Sequence, residues 1–175
     1  VVRSASAASA AAQPARLYRY SYSTTARTFT LDAGFPSLIN DVSSESLTMD
    51  KDSNGTIWAT WTQVTGTGAA ATAAVYVNST TGTSGAWSTP MVVPTTGSVN
   101  PSVAPDDISA LVAFQGRIGV LWSNQLDGTV YWSMHGDNAP RTTWTGGIAR
   151  RGTGEADDHL NIKSLQSDQA GRVFA

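Results

Sequence analysis

The sequence of 175 residues carries a formal net charge of −2, and 41% of its residues are apolar. This length is typical of one domain, and the apolar share is enough for a core if strands rather than helices organise it. Two lysines beside nine arginines provide neither a basic field for nucleic acid nor a polybasic membrane anchor. Because the chain has no cysteine, a disulfide framework and a thiolate metal site are excluded.

Short strands and tight turns are predicted along the whole chain, and no helix is predicted. Residues 1–3 are interpreted as the last strand of a preceding unit. Alternation over residues 17–22 predicts one strand with three tyrosines on the same face. Strands at residues 28–31 and 37–39 then complete a partial unit, which spans residues 1–40.

Two longer units follow, at residues 44–93 and 106–149, and each is predicted to be a four-stranded antiparallel meander. In the second unit apolar residues alternate through three strands that two tight turns connect. Gly116 supplies backbone freedom at the first turn, and the Asp-Gly pair ending at Gly128 favours reversal at the second. A further unit begins in residues 157–175.

One constant spacing relates the two longer units, which indicates a repeat. Four short strands in about 50 to 60 residues are typical of a β-propeller blade. A β-sandwich is the alternative, although it gives no reason for a constant spacing. The sequence therefore predicts an all-β propeller of four-stranded blades, in a ring that is incomplete within this chain. Four pairs share the offset of 61 positions (116 − 55): Gly55 and Gly116, Ile57 and Ile118, Trp61 and Trp122, and Glu45 and Asp106.

The turn motifs resemble the blade turns of bacterial extracellular β-propellers, including sialidase-like ones. The pattern Asp-x-x-Gly-x-hydrophobic-aromatic occurs from Asp52 to Trp58 and from Asp168 to Phe174. It is one residue longer between aspartate and glycine than the sialidase Asp-box, Ser-x-Asp-x-Gly-x-Thr-Trp. The resemblance implies Asp-box-like blades and sialidase-like glycoside hydrolysis. Since the chain has no Arg-Ile-Pro motif and only the glutamates Glu45 and Glu155, the sequence favours a role without catalysis.

Acidic residues open the first strand of each unit, at Glu45, Asp107 and Asp158. In a propeller the first strand is innermost, so these side chains are expected to gather at one channel mouth together with His159. They are expected to cap backbone amides, to bind sugar hydroxyls, or to hold Ca²⁺ or another hard cation weakly. These four residues are the predicted ligand-binding set, and no catalytic residue or required cofactor is predicted. His135 is predicted to lie in a surface loop.

The tryptophans and the turn aspartates also have structural interpretations. An aspartate before a turn can accept hydrogen bonds from backbone N–H groups, and the recurring tryptophans suit packing between blades. Sugar stacking by one or two tryptophans at a rim is the alternative for these rings.

The low charged share of 14% favours a protein that is secreted or at the cell surface of a bacterium. The predicted function is a recognition module that binds carbohydrate or another extracellular ligand. A sialidase-like glycoside hydrolase fragment and a structural subunit of a surface assembly are the alternatives. Neither nucleic acid nor membrane insertion is expected. The remaining blades are expected from a longer chain or from self-association.

Overall fold

The computed structural model describes residues 13–82, 85–95, 102–157, 159–164 and 170–175. The strand predicted at residues 1–3 lies outside this part, and so does the opening of the last turn. Within the described part all regular structure is β, apart from one 3-10 turn at Gly68–Ala70. The strands are β1 (Ala15–Leu17), β2 (Tyr20–Ser23), β3 (Thr28–Leu31), β4 (Ser37–Asn40), β5 (Glu45–Lys51), β6 (Ile57–Thr65), β7 (Thr72–Ser79), β8 (Met91–Val92), β9 (Ser109–Phe114), β10 (Arg117–Asn124), β11 (Thr129–Gly136), β12 (Thr145–Arg151), β13 (Lys163–Ser164) and β14 (Val173–Phe174).

Two four-stranded antiparallel sheets form the body of the molecule. The first sheet has the order β5-β6-β7-β8, and the second sheet has the order β9-β10-β11-β12. Each sheet is a meander in which strands adjacent in sequence pair with each other. The all-β class and the four-stranded antiparallel sheets predicted from the sequence are therefore confirmed. The described residues form no closed barrel or closed propeller.

The strand predicted over residues 17–22 is wrong as a single element, because the chain bends after Leu17. β1 pairs with β4, and β2 pairs with β3. The N–H of Asp32 donates to the carbonyl of Arg19 at 2.9 Å, so the two pairs belong to one bent hairpin over residues 15–40, here called the leading hairpin. Its β1–β4 half packs on the first sheet, whereas its β2–β3 half is exposed throughout.

The constant spacing in the sequence corresponds to matching geometry in the two sheets. Trp61 lies opposite Tyr76 on β6 and β7, and Trp122 lies opposite Tyr131 on β10 and β11. The ring centroids are 6.1 and 5.7 Å apart, and both pairs are stacked. Both tryptophans are buried against the layer that precedes their own sheet in the chain. The two sheets are therefore equivalent units, and their tryptophans pack between layers.

Successive layers pack face to face in chain order. Leu17 and Ile39 of the leading hairpin are buried with Trp61 of the first sheet. The opposite face of the first sheet, including Val77, is buried against Ile118 and other apolar residues of the second sheet. The hairpin of β13 and β14, here called the trailing hairpin, lies beside the remaining face of the second sheet.

The first strands of consecutive units are neighbours. Thr48 and Asp50 on β5 accept hydrogen bonds from the N–H groups of Leu111 and Ala113 on β9, at 3.0 and 2.8 Å. The hydroxyl of Ser164 on β13 donates to the carbonyl of the same residue, Ala113, at 2.8 Å. These contacts place the first strands of three units side by side along one edge of the layered body.

His135 is buried, so its predicted surface position is wrong. β11 continues through Gly136, and the alternation of the strand turns His135 towards the first sheet with only 2% of its surface exposed. Its ring lies 4.7 Å from that of Trp58 and 5.2 Å from that of Trp144, measured between centroids. His135 therefore packs between the sheets and is not available as a surface ligand.

Candidate functional site

The predicted site lies where the first strands begin. The two hydrogen bonds from β9 to β5 advance by two residues on both strands, so the strands run in the same direction and start at the same end. Glu45 begins β5, and Asp107 precedes β9 by two residues. His159 precedes β13, which contacts β9, and the correspondence of residues 157–159 with residues 106–108 in the repeat assigns it to this end. We call this region the inner-strand end.

Asp107 is buried at this end, and its carboxylate holds the backbone. One oxygen accepts the N–H of Ala104 at 2.6 Å, and the other accepts the hydroxyl of Ser123 at 3.0 Å. The N–H of Gln125 points to both oxygens, at 3.1 and 3.2 Å. Asp107 thereby fastens the loop before β9 to the turn after β10, and its exposed fraction is 0%. The geometry gives it a structural role.

The exposed part of the inner-strand end consists of neighbours of the predicted residues. Asp106 is exposed, and one of its oxygens lies 3.5 Å from the side-chain amide of Gln125. The side chain of His159 is 87% exposed, and its Nδ1 lies 3.7 Å from a carboxylate oxygen of Asp157. Asp158 and the side chain of Glu45 lie outside the described residues. Of the four predicted residues, His159 is thus the one shown to be accessible.

The Asp-box-like turn has a structural role that the sequence predicted. One oxygen of Asp52 accepts the N–H groups of Asn54 and Thr56 at 2.9 and 2.8 Å. The other oxygen accepts the indole N–H of Trp58 at 3.0 Å. Gly55 has a φ of +86°, which side-chain-bearing residues rarely adopt. The motif therefore fixes the β5–β6 turn and the ring of Trp58.

Other carboxylates in the described part also have protein partners. Hydrogen bonds from Ser21 and then Arg19 lower the pKa of Asp32. The hydrogen bond and charge of Arg150 lower the pKa of Glu155. A glycosidase general acid needs a raised pKa, so neither group suits that role. Further partnerships are Asp50 with the N–H of Ala113, Asp127 with the hydroxyl of Tyr131, and Asp137 with Ser53.

Among the described side chains, no three His, Asp or Glu groups come together in a way that could hold a metal ion. Asp158 and the side chain of Glu45, which the calcium prediction includes, lie outside the described residues.

An exposed aromatic face on the leading hairpin was missed by the sequence reasoning. Tyr22 and Phe29 lie opposite each other on β2 and β3, with ring centroids 4.8 Å apart. Tyr20 and Leu31 form the adjacent pair on the same face. Phe29 is 70% exposed, and both tyrosines are about half exposed. The alternating tyrosines signalled this face, but the sequence did not show that no layer of the described structure covers it.

The sequence reasoning also missed an apolar cavity between the second sheet and the trailing hairpin. Its volume is about 390 Å³. A cavity of this size lies within the range of sites that bind small molecules or partner side chains. The lining includes Phe114, Leu121, Trp132, Met134, Ile162 and Val173.

Comparison with known proteins identifies no relative. No family model matches the chain, and no curated protein or solved structure shows significant similarity to it. In the part of the chain that the structure describes, no helix has the length and apolar character needed to cross a membrane.

Proposed function

We propose that this protein is an extracellular recognition module built as part of a β-propeller, and that it binds carbohydrate through the inner-strand end. The proposal places the protein outside the cell, either secreted or at the cell surface. The propeller part is supported by equivalent four-stranded sheets that pack face to face, with their first strands adjacent. In propellers, four-stranded blades are arranged in this manner around a central axis.

The positions and partners of the acidic groups support a function in recognition rather than in catalysis. The buried carboxylates of Asp52 and Asp107 hold backbone turns, while exposed polar groups remain at the inner-strand end. Asp106, Asp157 and His159 offer hydrogen-bond acceptors and an imidazole on a rigid scaffold, which suits the hydroxyl groups of a sugar. Such groups can orient a ligand without breaking a bond.

A glycan array tests this function with variants chosen by exposure. We expect His159→Ala and Asp158→Ala to reduce glycan binding at least tenfold without a change in thermal stability. Lys51→Ala is the matched control, because Lys51 is exposed at the opposite end of β5. No glycan binding by the unaltered protein, or equal binding by all variants, would remove the proposal. Turnover of a chromogenic glycoside would instead favour the sialidase-like hydrolase.

Weak binding of Ca²⁺ is a subordinate part of the proposal. Hard cations prefer oxygen ligands, and the carboxylates of Asp158 and Glu45 would supply them. Millimolar Ca²⁺ should then raise the melting temperature, and this rise should disappear in Asp158→Ala. An unchanged melting temperature at millimolar Ca²⁺ excludes the cation.

A further inference from the structure

Arg150 and Arg151 are the one adjacent pair of basic residues in the sequence. They end β12, and the last four residues of this strand, Ile148 to Arg151, are exposed. Among the described strands, β12 pairs with β11 alone. A strand with an unpaired edge can pair with an extended segment of another protein. The fold therefore presents the two arginines on an extended and accessible strand end.

A turn of small residues follows the arginine pair. Gly152, Thr153 and Gly154 form this turn, and the described part of residues 152–162 contains no strand or helix. Thr153 and Gly154 are exposed. Exposed segments of small and polar residues are preferred places for proteolytic cleavage. This segment connects the second sheet with the trailing hairpin, so a cut here divides the chain between two units and interrupts no strand.

The end of β12 is held to its neighbour β11 on one side. The N–H of Gly152 donates to the carbonyl of Gly128 at 3.1 Å, and Nε of Arg151 donates to the hydroxyl of Thr129 at 3.0 Å. Both arginines also pair with residues of β11. A central strand such as β10 is instead paired on both sides. Because fewer bonds must break, the end of β12 can open locally while the two sheets stay intact.

An ion pair spans the bond between Arg151 and Gly152. Nη2 of Arg150 lies 2.8 Å from a carboxylate oxygen of Glu155. The side chain of Glu155 also lies over Gly152, since a Cβ added at Gly152 would stand 2.9 Å from Cγ of Glu155. The pair therefore restrains the turn that follows the arginines. Both of its side chains are partly exposed, so the restraint is weak.

We propose that the bond between Arg151 and Gly152 is a processing site for an endoprotease that recognises two consecutive arginines. The enzyme binds the end of β12 as an extended strand, and its carboxylates hold the two guanidinium groups. In the cleavage step the oxygen of a water molecule bonds to the carbonyl carbon of Arg151, and the C–N bond to Gly152 breaks. Arg151 then ends in a carboxylate, and the proton that water releases passes to the nitrogen of Gly152. This inference does not rest on carbohydrate binding.

Digestion of the whole native protein with an endoprotease specific for paired basic residues tests the site, and mass spectrometry locates the cut. We expect one cut, after Arg151, which yields chains of residues 1–151 and 152–175. Arg150→Gln and Arg151→Gln should each slow this cut by at least about tenfold. Arg117→Gln is the matched control and should leave the rate unchanged, because Arg117 is exposed but lies on a strand paired on both sides. Circular dichroism verifies the fold of each variant.

A synthetic peptide of residues 146–157 separates the effect of the sequence from that of the fold. Cleavage of the peptide without cleavage of the native protein shows that the fold shields the bond, and this result overturns the proposal. Absence of cleavage in both shows that the arginine pair is not recognised, and it overturns the proposal as well. A first cut at another bond of the native protein has the same consequence.

Glu155→Gln tests whether local opening of the strand end exposes the bond. This variant keeps both arginines but removes the charge partner of Arg150, so the end of β12 should open more often. Cleavage of the native protein should then become about two- to fivefold faster. The peptide with the same substitution corrects for a direct effect on the protease. A protein rate that does not rise more than the peptide rate contradicts cleavage through local opening and overturns this part of the proposal.

Discussion

Replacement of Asp107 by alanine tests whether this residue acts in structure or in ligand contact. The change removes the acceptor of three donors, namely the N–H groups of Ala104 and Gln125 and the hydroxyl of Ser123. Each unsatisfied buried donor costs about 1–3 kcal/mol. Water can reach the loop once the carboxylate is gone, so we expect a total loss of about 3–4 kcal/mol in the free energy of unfolding. For a chain of this size that loss lowers the melting temperature by roughly 10 °C.

Urea unfolding followed by tryptophan fluorescence measures the loss, and Asp106→Ala is the matched control. Asp106 is the adjacent residue, but it is exposed and has one long contact with Gln125. Its replacement should change the free energy of unfolding by no more than about 0.5 kcal/mol. If the two variants are equally stable and only Asp107→Ala loses glycan binding, the structural role assigned to Asp107 is refuted.

Three further predictions follow from the same geometry. Trp61→Ala and Trp122→Ala should each lower the free energy of unfolding by about 3–5 kcal/mol, measured by thermal or urea unfolding, because both rings are buried at equivalent places. A loss below about 1 kcal/mol in either variant would contradict the equivalence of the two sheets. Asp52→Ala should lower the free energy of unfolding by about 2–4 kcal/mol in urea, since it leaves two backbone N–H groups and an indole N–H without their acceptor. Unchanged stability would show that the turn does not need its aspartate. In an NMR titration the pKa of Glu155 should lie below its usual value, and it should return to that value in Arg150→Gln. Any stability that this ion pair adds should be present at a pH above the pKa of Glu155 in the unfolded chain. It should be lost as the pH falls through the lowered pKa of the folded protein.

The sequence alone was sufficient for the all-β class, the four-stranded antiparallel sheets and the constant spacing between them. Strand alternation and glycine at turns are local properties, so β9 and β10 could be predicted close to their observed bounds, whereas β11 extends into the predicted loop. The constant spacing of 61 positions could be found in the sequence alone, because equivalent units have similar residues at equivalent positions. The structure adds that Trp61 and Trp122 stack on matching tyrosines.

Only the tertiary structure decided which polar and aromatic groups are accessible. Strand alternation shows that neighbouring side chains face opposite ways, but it does not show which face another layer covers. Thus His135 is buried because β11 extends past the predicted loop, and Asp107 is buried while Asp106 is exposed. The exposed ring of Phe29 and the cavity beside Trp132 likewise depend on how layers stack, because burial is determined by residues distant in the chain.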